Sequence, residues 1–214
     1  MKLRGAIFDL DGTVLDSMPM WNEVGIRYLT DRDLPVPPGV RDKFKTMTLM
    51  QSAEYYHNEL GVQEQPEQIL QDIERTILHD YQHTIPLKEG VREVLDELKA
   101  RGVRMGVATA TARGCVEPAL ERLGVSDYFS FVLTCTEVGR GKTYPDIFEQ
   151  SLARLGTCKQ DTVVFEDAIH AIQTAKSAGF RVAAVYDESS AHEREEISAL
   201  SDVYLNHWCE FQCE

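Results

Sequence analysis

The chain has 214 residues, 35 of them acidic and 22 basic, for a formal net charge of −13. That length buries one large core, with or without an insert, and 43% hydrophobic with 27% charged residues is an ordinary soluble composition. The acidity argues against a nucleic-acid or anionic-membrane surface, which would repel it, and no apolar run approaches the roughly 18 residues of a membrane span. The N-terminal apolar run is broken by Asp9 and does not read as a secretory signal. Cysteines 115, 135, 158, 209 and 213 form an odd, sparse set that suits reduced thiols in a cytoplasm. A monomer is the default expectation.

In chain order, residues 5–9 form a short apolar run without alternation, the pattern of a strand buried on both faces of a parallel sheet. Residues 16–86 then read as helices over Met20–Thr30, Arg41–Glu59 and Pro66–His83. The breaks between them are the proline-rich Leu34–Gly39 and the segment Gly61–Gln65, and hinges are expected near Asp16–Pro19 and Ile85–Lys88. From Gly90 onward helix and strand patterns alternate. Val91, Val94, Leu95 and Leu98 mark a helix over Gly90–Arg101, and Val103–Ala108 is a strand. A helix over Ala112–Leu123 stops at Gly124, and Phe129–Leu133 is a strand. A further helix begins near Pro145, followed by the strand Val163–Phe165, a helix over Ala168–Ala178 and the strand Arg181–Val185. Residues 189–214 give no clear assignment. The expectation is an α/β protein: a Rossmann-like parallel sheet core from residues 1–15 and 87–214, with an inserted α-helical domain at 16–86.

Charge divides unevenly between these parts. Residues 16–86 carry 12 acids and 6 bases, residues 187–214 carry 8 acids and 1 base, and the remainder holds 15 of each sign. The sheet core is neutral overall, so the acidity does not bar an anionic substrate there.

Chemistry concentrates at the ends of the expected strands. Asp9 and Asp11, in Asp9-Leu10-Asp11-Gly12-Thr13, follow the first strand. Residues i and i+2 of an extended backbone face the same way, so both carboxylates converge on one centre. Their repulsion is relieved by a cation or by a retained proton, giving a nucleophile beside a general acid. Thr109, Ala110 and Thr111 place hydroxyls and N–H groups before a helix, which reads either as an anion cradle or as an ordinary helix cap. Lys142, in Gly141-Lys142-Thr143, offers a cation to a phosphate or to Asp9, and Glu166-Asp167 repeats the acid pair after a later strand. By itself Asp167 reads as a helix N-cap. The ordered set of acid pair, hydroxyl, lysine and acid pair is what phosphoryl transfer at a Mg²⁺ site requires.

With these four motifs the chain resembles the haloacid dehalogenase-like hydrolases, in the branch with a helical cap after the first strand that includes β-phosphoglucomutase and phosphoglycolate phosphatase. The resemblance implies a phosphoric monoester hydrolase whose core is residues 1–15 and 87–214 and whose cap is residues 16–86. It implies Asp9 as the nucleophile forming an aspartyl-phosphate, and Asp11 as the acid and then the base. Thr109, Ala110 and Lys142 would hold the phosphoryl group. Mg²⁺ would sit on Asp9, the Asp11 carbonyl and Asp167, with Glu166 nearby. Asp11 argues against dehalogenation, because true dehalogenases lack that second acid. A β-phosphoglucomutase-type phosphosugar mutase loses ground because the stretch Thr46–Ser52 lacks the expected arginine; the nearby cations are Arg41, Lys43 and Lys45. A silent binding protein of the same fold gains nothing, since every charged motif position is present. The expected activity is therefore a Mg²⁺-dependent phosphatase for a small phosphorylated metabolite, with no nucleic-acid or membrane partner. His207-Trp208-Cys209 with Cys213 lacks metal-ligand spacing and reads as a packing segment.

Overall fold

The computed structural model describes residues 3–44 and 47–212. Two compact units emerge, one from Met1–Asp16 with Pro86–Glu214, the other from Ser17–Ile85. Lys45, one of the three cations near Thr46–Ser52, and Cys213 lie outside the described residues.

The larger unit is built on six parallel strands: β1 (Gly5–Phe8), β2 (Arg104–Thr109), β3 (Val132–Thr134), β4 (Thr162–Glu166), β5 (Arg181–Val185) and β6 (Val203–Leu205). Their order is β3-β2-β1-β4-β5-β6. The chain thus runs outward from β1 on one side and returns to start again on the other, which leaves a crevice at the carboxyl ends of the central strands. β1 is flanked in register by β2 and β4, Phe8 lying opposite both Val107 and Phe165. All four of its residues are buried, because layers pack on both faces of the sheet, and this explains its unbroken apolar run.

The smaller unit is helical, with α1 (Met18–Thr30), α2 (Val40–Phe44), α3 (Leu49–Asn58) and α4 (Pro66–His83). Buried Ile69, Ile73, Ile77 and Tyr81 give α4 one apolar face. Within this unit the Trp21 indole donates to the Tyr81 hydroxyl at 3.0 Å, and Arg27 pairs with buried Asp80. Arg41 pairs with Glu23, and Lys43 donates to the Tyr55 hydroxyl at 3.2 Å. The larger unit adds α5 (Val91–Ala100), α6 (Arg113–Arg122), α7 (Cys135–Val138), α8 (Asp146–Leu155), α9 (Ile169–Ser177) and α10 (Arg194–Leu200).

Alternation along the strands divides the core in two. Ile7, Ala108, Val164, Val182 and Ala184 join Ile147 and Phe148 of α8, Ile172 and Ala175 of α9, and Ile197 of α10 in one buried cluster. Their neighbours Phe8 and Phe165 stack at 4.6 Å between ring centroids, and Phe165 meets Trp208 at 5.1 Å. Trp208 is buried, as a packing segment requires.

Three elements differ from expectation. The single helix over Arg41–Glu59 is two, because Thr48 caps α3: its hydroxyl accepts from the Gln51 amide at 3.2 Å, and the Gln51 side chain accepts from the Thr48 amide at 2.9 Å. That Thr-x-x-Gln capping box is visible in the sequence and sits inside an otherwise continuous periodicity. The strand assigned to Phe129–Leu133 is β3, shifted to Val132–Thr134, while a 3₁₀ turn over Ser126–Tyr128 carries Phe129 edge-on to Phe8 at 5.7 Å. Strand β6 gave no signal, being three residues long at a sheet edge with Val203 exposed. Among the described residues no helix is long and apolar enough to cross a membrane.

Candidate active site

Asp9 continues β1 by one ladder bond, its amide donating to the Phe165 carbonyl at 3.0 Å. The chain then turns sharply. Leu10 accepts from the amides of Thr13, Val14 and Leu15, and Gly12, whose amide bonds Leu15 at 3.0 Å, holds φ +82°. A side chain at that position would face the left-handed penalty, so the glycine of the motif is a backbone requirement.

The turn delivers Asp9 to a buried group of charges. Asp9, Glu166 and Asp167 each place a carboxylate oxygen within 4.8 Å of the others. All three are buried, as is Lys142. The Lys142 ammonium makes a close ion pair with Asp9 Oδ1 and donates to Glu166 Oε2 at 2.7 Å. Glu166 Oε1 accepts from the Ala168 amide at 3.3 Å, and the Thr13 hydroxyl donates to Asp167 Oδ1 at the same distance.

Three ionised carboxylates against one ammonium leave two negative charges uncompensated in a dry site. The Asp9 carboxyl is accordingly pushed up to about 8, first by burial and then by the charge of Glu166, against the opposing pull of Lys142. Asp167 is raised well above the carboxylate range by burial and then by Glu166 and Asp9. Burial alone would lower the Lys142 ammonium, yet Asp9 and Glu166 together hold its proton firmly above the usual lysine value. Hard oxygen donors with a deficit of two positive charges fit a divalent cation such as Mg²⁺. Asp9, Asp167 and Glu166 are the side chains that could hold one.

Asp11 is placed differently. Its carboxylate stands outside the three-acid cluster, is only half-buried, and accepts from the Thr111 hydroxyl at 2.6 Å. Thr109, buried at the end of β2, accepts the Thr111 amide on its own hydroxyl at 3.0 Å. Thr109 is therefore no helix cap; the N-cap of α6 is Ala112, and that of α9 is Ala168 and not Asp167. Ala110 is exposed between the two threonines. Sequence reasoning had named the hydroxyl run but gave Thr111 no task. The alternation that carries Thr109 and Thr111 past the strand end is the signal that could have done so. Lys88, Asp187 and Trp208 were also missed as supports of the Asp9 turn. They lie far from it in the chain, and no motif marks them.

The sequence matches the haloacid dehalogenase-like hydrolases over residues 6–185, most of the chain. It belongs to that family. Among curated relatives, the hydrolase is 25% identical over 177 residues to a phosphorylated carbohydrates phosphatase of Thermotoga maritima, covering 83% of this chain and 82% of that protein. It is 28% identical over 188 residues to the pyrophosphatase PpaX of Bacillus velezensis, covering 86% of this chain and 83% of the other. Its fold is shared with the crystal structure of a putative β-phosphoglucomutase from Thermotoga maritima, at TM-score 0.83 and 22% identity, covering 95% and 94% of the two chains. The parallel sheet expected from sequence is thus the family's own.

Chemically, the hydrolase brings together a deeply buried carboxylate beside a fixed ammonium and a second, half-exposed carboxylate oriented by a hydroxyl. The first is screened from water and the second is partly open to it.

Proposed function

We propose that this hydrolase is a cytoplasmic, Mg²⁺-dependent phosphatase that releases phosphate from a small phosphorylated metabolite through an aspartyl-phosphate. The observation that carries this reading is the pairing of Asp9 with Lys142 inside an acid cluster, while Asp11 is held apart by Thr111. The phosphatase names of the relatives support the same reaction class. A cytoplasmic setting agrees with the absence of disulfides among Cys115, Cys135, Cys158 and Cys209.

In the first half-reaction a carboxylate oxygen of Asp9 attacks phosphorus, the Asp9–phosphorus bond forms, and the bond to the leaving oxygen breaks. Protonated Asp11 gives that oxygen its proton. In the second, Asp11 takes a proton from water as the water oxygen bonds to phosphorus, and Asp9 is released with free phosphate. Lys142 holds the attacking carboxylate in place and offsets the charge of the phosphoryl oxygens. Thr109 and Ala110 would donate to those oxygens. Asp9, Asp167 and the Asp11 carbonyl, with Glu166 beside them, would hold Mg²⁺, which would supply neutralising charge. The helical unit Ser17–Ile85 acts as the cap that selects the substrate.

The test is a panel of phosphorylated metabolites incubated with purified protein and Mg²⁺, with free phosphate and isomerised product both measured. Phosphate release that disappears in Asp9→Asn is expected. Isomerisation of a sugar phosphate primed by its bisphosphate, without net phosphate, would make it a mutase, and no turnover of any ester would overturn the proposal.

A further inference from the structure

Three successive carbonyls in the turn after Asp9 are each held by a donor from far along the chain. Gly12 accepts from Lys88 Nζ at 2.7 Å, Thr13 from the Trp208 indole at 3.0 Å, and Val14 from the Lys88 amide at 2.9 Å. Lys88 spends its other two ammonium protons on the Tyr186 carbonyl at 2.6 Å and on Asp187 Oδ2 at 2.8 Å. Asp187 is itself fixed, its second oxygen accepting from the Ser189 amide at 2.9 Å and the Ser189 hydroxyl at 2.7 Å. Trp208 is seated equally firmly. Gly90, at φ +83°, has no side chain, and a Cβ there would meet the Trp208 Cβ at 3.1 Å.

A lysine with all three protons committed to two carbonyls and a buried carboxylate is a strut. Its ammonium and its amide grip the two ends of the Gly12–Val14 segment, which directly follows Asp11, the proposed acid. Small displacements matter at such a place, since a shift of about 1 Å in a reacting group can cost on the order of a hundredfold in rate.

We infer that Lys88, seated on Asp187 and seconded by Trp208, is a positioning residue that fixes the Asp11–Val14 turn and so holds Asp9 and Asp11 in register for phosphoryl transfer. The inference rests on the reading of Asp9 and Asp11 as nucleophile and acid. Lys88 touches no reacting atom; it acts through the Gly12 and Val14 carbonyls. Asp187 loses its cation when Lys88 is removed, so loss of Lys88 has two separable consequences: a loosened turn and an unbalanced charge.

Lys88→Met, Lys88→Met combined with Asp187→Asn, and Trp208→Phe separate them. Each is checked for folding by circular dichroism, then followed by amide hydrogen exchange over residues 8–16 and by steady-state phosphate release with Mg²⁺. For Lys88→Met, exchange in that peptide should rise at least about tenfold while the β4 peptide keeps its protection. Its kcat should fall on the order of ten- to a hundredfold, with KM within about threefold of the parent. The double variant should stay equally slow, because neutralising Asp187 does not restore the Gly12 bond. Recovery of kcat in the double variant would make Lys88 a charge balancer and overturn the positioning role. Wild-type exchange, or faster exchange with unchanged kcat, in folded Lys88→Met would overturn it too. If Lys88→Met does not fold, Trp208→Phe decides by the same two readouts, since it keeps a smaller aromatic ring in the core and removes the indole donor to the Thr13 carbonyl. If the parent protein hydrolyses no phosphate ester, the functional reading fails, and exchange over residues 8–16 alone decides whether the clamp exists.

Discussion

Asp9→Asn keeps the size of the side chain and removes one charge from a buried, over-acidic cluster. In the metal-free protein the Asp9 carboxyl ionises at about 8 instead of 3.8. The folded protein therefore keeps a proton that the unfolded chain releases, and stability from this source is complete below the unfolded value and lost as pH rises towards the folded one. Each pH unit in that window costs about 1.4 kcal/mol, or about 4 kcal/mol at pH 7. Asparagine has no such cost, and Lys142 keeps Glu166 as its partner at 2.7 Å. In EDTA at pH 7 the variant should exceed wild type by about 4 kcal/mol, roughly 10 °C in melting temperature for a chain of this size. The gap should close towards pH 4, and saturating Mg²⁺ should narrow it by stabilising the wild type. The same variant should lose turnover of an aryl phosphate by at least about 10⁴-fold. Melts of both proteins from pH 4 to 8, with and without Mg²⁺, beside a phosphate-release assay, measure all of this. A gap that does not vary with pH, or a variant less stable than wild type at pH 7, refutes the electrostatic account; retained turnover refutes the nucleophile.

Thr111→Val removes the 2.6 Å bond to Asp11 and should lower kcat about tenfold with little change in melting temperature, read by steady-state kinetics and a thermal melt. Lys142→Met leaves Asp9 and Glu166 without their buried cation. A loss of about 3 kcal/mol is expected at pH 8 and less at pH 5, where Asp9 keeps its proton; urea unfolding at the two pH values checks the sign. Asp167→Asn should raise the Mg²⁺ concentration for half-maximal activity by on the order of ten- to a hundredfold, and EDTA should abolish wild-type turnover reversibly, both seen in a Mg²⁺ titration.

Much of the sheet was legible because burial on both faces leaves a chemical mark. Strands β1, β2, β4 and β5 have apolar interiors, with polar residues such as Arg104, Thr162, Glu166 and Arg181 only at their ends, and the helices between them end at Gly102, Gly124 and Gly179, all with positive φ. What escaped were features whose cause is not periodic. Thr48 divides a helix through one hydroxyl, and β6 is three residues at an exposed edge. The Asp9, Asp11 and Glu166-Asp167 positions could be named from residue type and strand ends, and Lys142, which follows α7 and not a strand, from its place in the ordered set. Residue type alone left their roles open, and only the family resemblance implied a division of labour; the geometry groups Asp9 with Glu166 and Asp167 in the buried cluster and leaves Asp11 outside it on Thr111.

The sequence by itself determined the alternation of strand and helix, the glycine turn at Gly12, and the residue types gathered at the strand ends, since backbone sterics and apolar period are local properties. Only the tertiary structure decided which acids share a charge deficit, and which distant donors, Lys88 from before α5 and Trp208 from near the C-terminus, grip the turn between them. Charge coupling and carbonyl partners depend on distances between segments that the parallel sheet alone brings together, so no stretch of sequence contains them.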